Sequence, residues 1–187
     1  MGEAWQQMTA LGHVAANVID IGAYRIAERF DVSLASVATR RGRDGDVAQA
    51  AKAAGVPLPK PSEAFGGQPF SGFWLAPEMW MIEAPFDSHE DIAAHLKTVF
   101  GAAASITEQT DAWVRFDVSG GNLVTLFERL SNLDLSVLPN GHASRTVIEH
   151  LGCYLIKRSA DLVTLYGPRS SAQSLLHALE VTAKSVI

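Results

Sequence analysis

A chain of 187 residues, 48% hydrophobic and 19% charged, makes one large domain or two small ones and can bury a sizeable core. A net charge of −5, with no basic stripe to neutralise phosphates, argues against a nucleic-acid partner. The single cysteine, Cys153, excludes an intrachain disulfide and a multi-cysteine metal site, and no apolar run reaches the ~20 residues that span a bilayer.

The N-terminus MGEAWQQM lacks a basic region of the signal-peptide kind, and Gln6 stands where a myristoylation pattern needs Ser or Thr. A cytoplasmic protein without membrane contact is expected. Residues 1–31 read as an N-terminal arm or a strand, because Ile19, Tyr24, Ile26 and Phe30 follow no clean period. DVSLASVATR (31–40) reads as a strand. Arg40, Arg41 and Arg43, followed at once by Asp44 and Asp46, read as a solvated turn. Val47, Ala50, Ala51 and Ala54 then make a small-residue helical face, with Gly55 as its stop.

Pro57, Pro59, Pro61 and Pro69 forbid regular structure over 56–70, so this is a loop and a contact or hinge segment. SGFWLAPEMWMIEAP (71–85) predicts a hairpin turning at Pro77-Glu78. It would bring Trp74 near Trp80, as a ligand-stacking pair or as core or interface aromatics. Ser88 to Asp91 fits a capping box ahead of a helical stripe of Ile92, Leu96, Val99 and Phe100. ASITEQ (104–109) reads as the next strand.

From Thr110 the pattern is clearest. Val114, Phe116 and Val118 alternate with Trp113, Arg115 and Asp117 as a strand does. Ser119-Gly120-Gly121 ends it, and Leu123, Leu126, Phe127 and Leu130 recur on one helical face. RTVIEHLGCYLIKR (145–158) predicts a long extended segment, Ser159 to Asp161 a turn, LVTLYG (162–167) a returning strand. Ala172, Leu175, Leu176 and Leu179 mark a last helix. Strand–helix–hairpin–helix thus occurs twice, over 32–109 and 110–187. Each run is a split βαβ, ferredoxin-like unit. ASITEQ and WVRFDVS would pair as a hairpin and make one continuous body.

Chemistry is harder to find. There is no dinucleotide fingerprint, phosphate loop, nucleophile elbow or metalloprotease helix. Gly120-Gly121 reads as a strand-to-helix turn rather than an anion site. His89 and His95 are six apart on one helix and do not share a face; Glu149 and His150 point to opposite faces of a strand. Asp134 and His142 flank a loop and form a possible pair. Cys153 lies in an apolar strand and reads as a buried, inert thiol. No catalytic, cofactor-binding or metal-ligating residue is assigned.

The runs TDAWVRFDVSGGNLVTLFERLSNLDL, GHASRTVIEHLGCYLIKR and DLVTLYGPRSSAQSLLHALE, in that order, resemble the gamma subunit of bacterial heterotetrameric sarcosine oxidase. SVATRRG and FWLAP upstream fit more loosely. A more distant resemblance extends to the aminomethyltransferase, or glycine-cleavage T-protein, fold. The resemblance implies an α+β fold of tandem ferredoxin-like units with antiparallel-rich sheets and packed helices. It implies a noncatalytic gamma subunit with alpha, beta and delta subunits as partners. The holoenzyme oxidises sarcosine to glycine, reduces oxygen to hydrogen peroxide, and releases the methyl group as formaldehyde or passes it to tetrahydrofolate. FAD, FMN, NAD and tetrahydrofolate are then expected on the other subunits and none on this chain. Trp74, Trp80, Trp113, Arg145 and Arg169 are candidates for core or interface. Two other functions stay open on the residues alone: a self-sufficient tetrahydrofolate-binding transferase, and a small-molecule regulatory module.

Overall fold

The computed structural model describes residues 8–187, so the readings on Gln6 and on all of MGEAWQQM but Met8 lie outside the described residues. The chain opens with a strand pair, β1 (Val18–Ile21) and β2 (Tyr24–Arg29), in the segment read as an arm or a strand. Strand β3 (Val32–Thr39) leads through the arginine turn into helix α1 (Asp44–Ala54), which Gly55 closes in the left-handed conformation at φ 68°. Short strand β4 (Ala64–Phe65) lies within the proline-rich loop. Strands β5 (Ser71–Ala76) and β6 (Met79–Pro85) form the predicted hairpin, with Trp74 opposite Trp80.

Helices α2 (Phe86–His89) and α3 (Ile92–Phe100) follow, then β7 (Ala104–Glu108). The α3 cap is Asp91, whose carboxylate accepts the Ala94 N–H at 2.9 Å; Ser88 instead sits inside α2, which corrects the predicted capping box. The second half comprises β8 (Trp113–Gly120), α4 (Leu123–Phe127), β9 (His142–Ile148), β10 (Leu151–Lys157), β11 (Leu162–Pro168) and α5 (Ala172–Ser185). The long segment predicted over 145–158 is two strands. Glu149 and His150 turn it at φ 47° and 67°, and neither is the Asn or Gly that usually marks such a turn.

Every strand pair is antiparallel. The sheets run β1-β2-β8-β11-β10-β9 and β4-β5-β6-β3-β7. In the smaller sheet β5-β6-β3-β7 follow the ferredoxin-like order. In the larger one β10-β11-β8 supply three positions of that order, and β2 from the N-terminal hairpin takes the fourth. The expected β7–β8 hairpin does not form. β7 pairs with β3 and β8 with β2 and β11, while a helical turn at Thr110–Ala112 carries the chain between sheets. This crossing lets the sheets stack instead of extending one another.

The alternation of side chains shows the layering. Val114, Phe116, Val118, Val163 and Leu165 pack with Leu126, Phe127, Leu175, Leu176 and Leu179 of α4 and α5. Ala35, Val37, Ile82 and Ala84 pack with Val47, Ile92, Leu96 and Phe100 of α1 and α3. The intervening residues Leu34, Phe73, Met81, Ala143, Ile156 and Tyr166 meet one another between the sheets. The order is therefore helix, sheet, sheet, helix. Each buried leucine contributes about 1.5–3 kcal/mol, which keeps short α4 and terminal α5 docked. No described helix is long and apolar enough to cross a membrane.

Candidate functional site

The same alternation sends charged residues into the space between the sheets. Glu83 on β6 is 2% exposed and faces β10 and β11 of the other sheet. Its Oε1 accepts from Arg158 Nη2 at 2.7 Å and from the Tyr166 hydroxyl at 2.6 Å. Its Oε2 accepts from Ser71 Oγ at 2.6 Å and again from Arg158 at 3.1 Å. Arg115 lies beside this group, donating to the Tyr166 oxygen at 3.4 Å and gripping Asp117 through two 2.9 Å bonds. Asp117 also accepts from Thr164 at 2.7 Å and Arg29 at 3.3 Å, and Arg29 holds Asp31 at 2.6 and 2.9 Å.

Burial alone would push the Glu83 carboxyl up. The guanidiniums of Arg158 and Arg115, with the bonds from Ser71 and Tyr166, outweigh it and hold the group at about 2. Burial opposes the charge on Arg115, but Tyr166, Glu83 and Asp117 raise its pKa on balance. Burial raises the Tyr166 hydroxyl well above its ordinary value. The result is an ionic tie between sheets, with three carboxylates matched by three guanidiniums.

This set is saturated. A carboxylate has about four acceptor positions, and Glu83 receives four bonds. The cavity beside it, bounded by Arg29, Asp31, Gln68, Ser71, Glu83 and Arg115, measures about 180 Å³. A second, against Arg29, Trp113 and Arg169, measures about 30 Å³. Pockets for cofactor-sized ligands run from about 300 to 1,000 Å³. Both cavities fall below that range, and the acceptor positions of Glu83 are already filled. A roomier open groove of about 530 Å³ runs along the proline-rich segment, between Leu58, Phe65, Pro139 and His142. Burial lowers the His142 pKa, so its ring is neutral at pH 7.

The residues singled out in the sequence are dispersed. Trp80 packs against the α1–α3 core and donates its indole N–H to Pro59 O at 2.8 Å. Trp113 packs edge-on against Tyr154 and donates to Gln109 at 3.1 Å. Arg169 pairs with Asp111 at 3.5 Å and donates to Met8 O at 3.0 Å, while Arg145 stands exposed on β9. His89 and His95 do come together, their rings 5.5 Å apart around Phe70, because the helix breaks between α2 and α3. Asp134 bonds Ser136 rather than His142. Among the described residues no group of three or more His, Cys, Asp or Glu side chains could hold a metal ion.

Burial pushes the Cys153 thiol up to about 11. The native protein should therefore resist iodoacetamide at pH 8 and react only once unfolded, as mass spectrometry of the two samples would show.

Sequence reading missed Glu83, Arg115, Asp117 and Arg158 as a group. The available signal was Glu83 itself, a lone acid in the apolar strand MWMIEAP.

Fold and interior together define the class: an α+β protein of tandem ferredoxin-like units with the aminomethyltransferase-like architecture. A search with family models and a search of curated proteins each return no match. Solved structures do match. A chain of the heterotetrameric sarcosine oxidase from Corynebacterium sp. U-96, in complex with pyrrole 2-carboxylate, superposes with a TM-score of 0.77 and 17% identity. The match covers 90% of this chain and 87% of that one. Glycine cleavage system aminomethyltransferase T from Bartonella henselae matches with a TM-score of 0.60 and 13% identity, over 81% of this chain and 44% of the other. At these identities the likeness is one of fold.

Proposed function

We propose that this chain is a noncatalytic, structural gamma-type subunit of a heterotetrameric, flavin-dependent sarcosine oxidase. The observation that carries the reading is the near end-to-end fold match to a chain of such an enzyme, 90% of one and 87% of the other. The saturated interior supports it, since every acceptor on Glu83 serves the fold. In this reading alpha, beta and delta subunits are the partners, and they carry FAD, FMN, NAD and tetrahydrofolate. The holoenzyme is the oxidoreductase acting on the CH–NH bond of sarcosine; this chain contributes surface and rigidity. The transferase alternative is less favoured, because the inter-sheet cavity measures only about 180 Å³ and its buried carboxylate, Glu83, is spent on the fold.

Co-expression with the candidate alpha and beta subunits, with only this chain tagged, tests the reading. A yellow co-purified complex with sarcosine-dependent peroxide production is the expected result. A colourless lone chain, in the presence of abundant soluble partners, would sink it.

A further inference from the structure

Strand β9 is one of the two outer strands of the larger sheet. Its hairpin with β10 closes at Ile148 and Leu151, so the amides of Ser144, Thr146 and Ile148 face β10. Those of Ala143, Arg145 and Val147 face away. One end of this outer edge already holds an extended segment: Ala143 N–H donates to Ser62 O at 2.9 Å, and Ala64 N–H to Gly141 O at 2.6 Å.

Beyond Ala143 the edge is open. Among the described residues only the Ser144 hydroxyl, at 3.5 Å, approaches the Arg145 carbonyl, and no main-chain group pairs with the outward N–H of Arg145 or Val147. Val147 is 59% exposed. Arg145 is exposed, lies 3.5 Å from where a Cβ on Gly152 would stand, and forms no ion pair among the described residues. With Asn132, Thr146 and Gly152 they line a groove of about 610 Å³.

Open edges are usually blunted by proline, lysine or a bulge. From His142 to Ile148 there is no proline, lysine or bulge, the register with β10 is unbroken, and the one charged side chain is Arg145. The other three outer strands differ: β4 has only two residues, and its Ala64 N–H already bonds Gly141 O. β1 has four residues, and its exposed Asp20 is paired with Arg25; β7 exposes Ser105, Thr107 and Glu108.

We propose that the β9 edge from Ser144 to Ile148 docks an extended strand of a partner polypeptide, with an acidic side chain opposite Arg145 and an apolar one on Val147. The main-chain bonds supply affinity, and the cation and the valine select the sequence. This rests on the subunit reading and names where a neighbouring subunit attaches.

The test compares wild type, Val147→Pro, Val147→Thr and Arg145→Glu, each tagged and co-expressed with the candidate alpha and beta subunits. Proline at 147 removes the outward N–H and no bond to β10. It should weaken association about 10-fold, as should Arg145→Glu, while threonine keeps the donor, gives up only part of the apolar contact and should bind more tightly than the proline variant. Amide exchange over 144–148 should slow in the wild-type complex. Equal binding by all four with unchanged exchange overturns the docking site and leaves the subunit reading standing. A wild-type chain that captures neither subunit overturns that reading and the docking with it. Should the proline variant misfold by circular dichroism, Arg145→Glu and the exchange data decide.

Discussion

Replacing Glu83 with glutamine is expected to destabilise the fold by about 3–5 kcal/mol, because it leaves Arg158 buried without its counter-charge, while Arg115 keeps Asp117. The pH dependence should change with it. The Glu83 carboxyl has an ordinary value of 4.5 and is held at about 2 in the native protein. The unfolded state therefore takes up its proton first as pH falls. The stabilisation is complete above about pH 4.5, shrinks between 4.5 and 2, and is gone below 2. A shift of this size corresponds to about 3 kcal/mol, in line with the substitution. Urea midpoints measured from pH 7 to pH 2 should fall steeply for wild type. For Glu83→Gln they should start lower and lose that acid-sensitive part. Parallel curves would show that the inter-sheet tie contributes little. Tyr166→Phe removes one of the four bonds to Glu83, keeps the charges, and should cost less.

The second large effect is expected at Gly120. The residue ends β8 at φ 152°, and a Cβ there would stand 2.4 Å from the main-chain oxygen of Ala23. The contact is with backbone, in the turn between β1 and β2, and Gly120 lies opposite Tyr24 in the register. Gly120→Ala must either strain β8 or push β2 away from it, at a cost of about 2–5 kcal/mol. Loosening should be local first: amide protection in β1 and β2 should drop before that of β10 and β11. Gly121 provides the control, since nothing lies within 4 Å of a Cβ there, and Gly121→Ala should be nearly silent. Equal behaviour of the two variants would rule out close β2–β8 packing as the reason for glycine at 120.

The two glycines show where sequence reading stops. Both are legible as a turn after a strand, and only the neighbour across the sheet separates them. The hairpin at Pro77-Glu78, the α1 stop at Gly55 and the apolar stripe of α5 were readable, because each depends on residues within one or two turns of one another. The Glu149–His150 turn was not, since its left-handed conformations are held by the pairing of β9 with β10 and not by Asn or Gly. The β2–β8 pairing joins residues about 90 positions apart, and no local pattern announces it.

The inter-sheet site was the least legible part. Arg115 and Asp117 alternate with buried valines and phenylalanine, which is how a solvent-facing edge of a half-buried strand also reads. Local periodicity determined the elements and the apolar face of each strand. Tertiary structure alone decided what covered the other face. Stacking a second sheet there took Glu83, Arg115, Asp117 and Arg158 out of water, and a charge removed from water must find its counter-charge or unfold the chain.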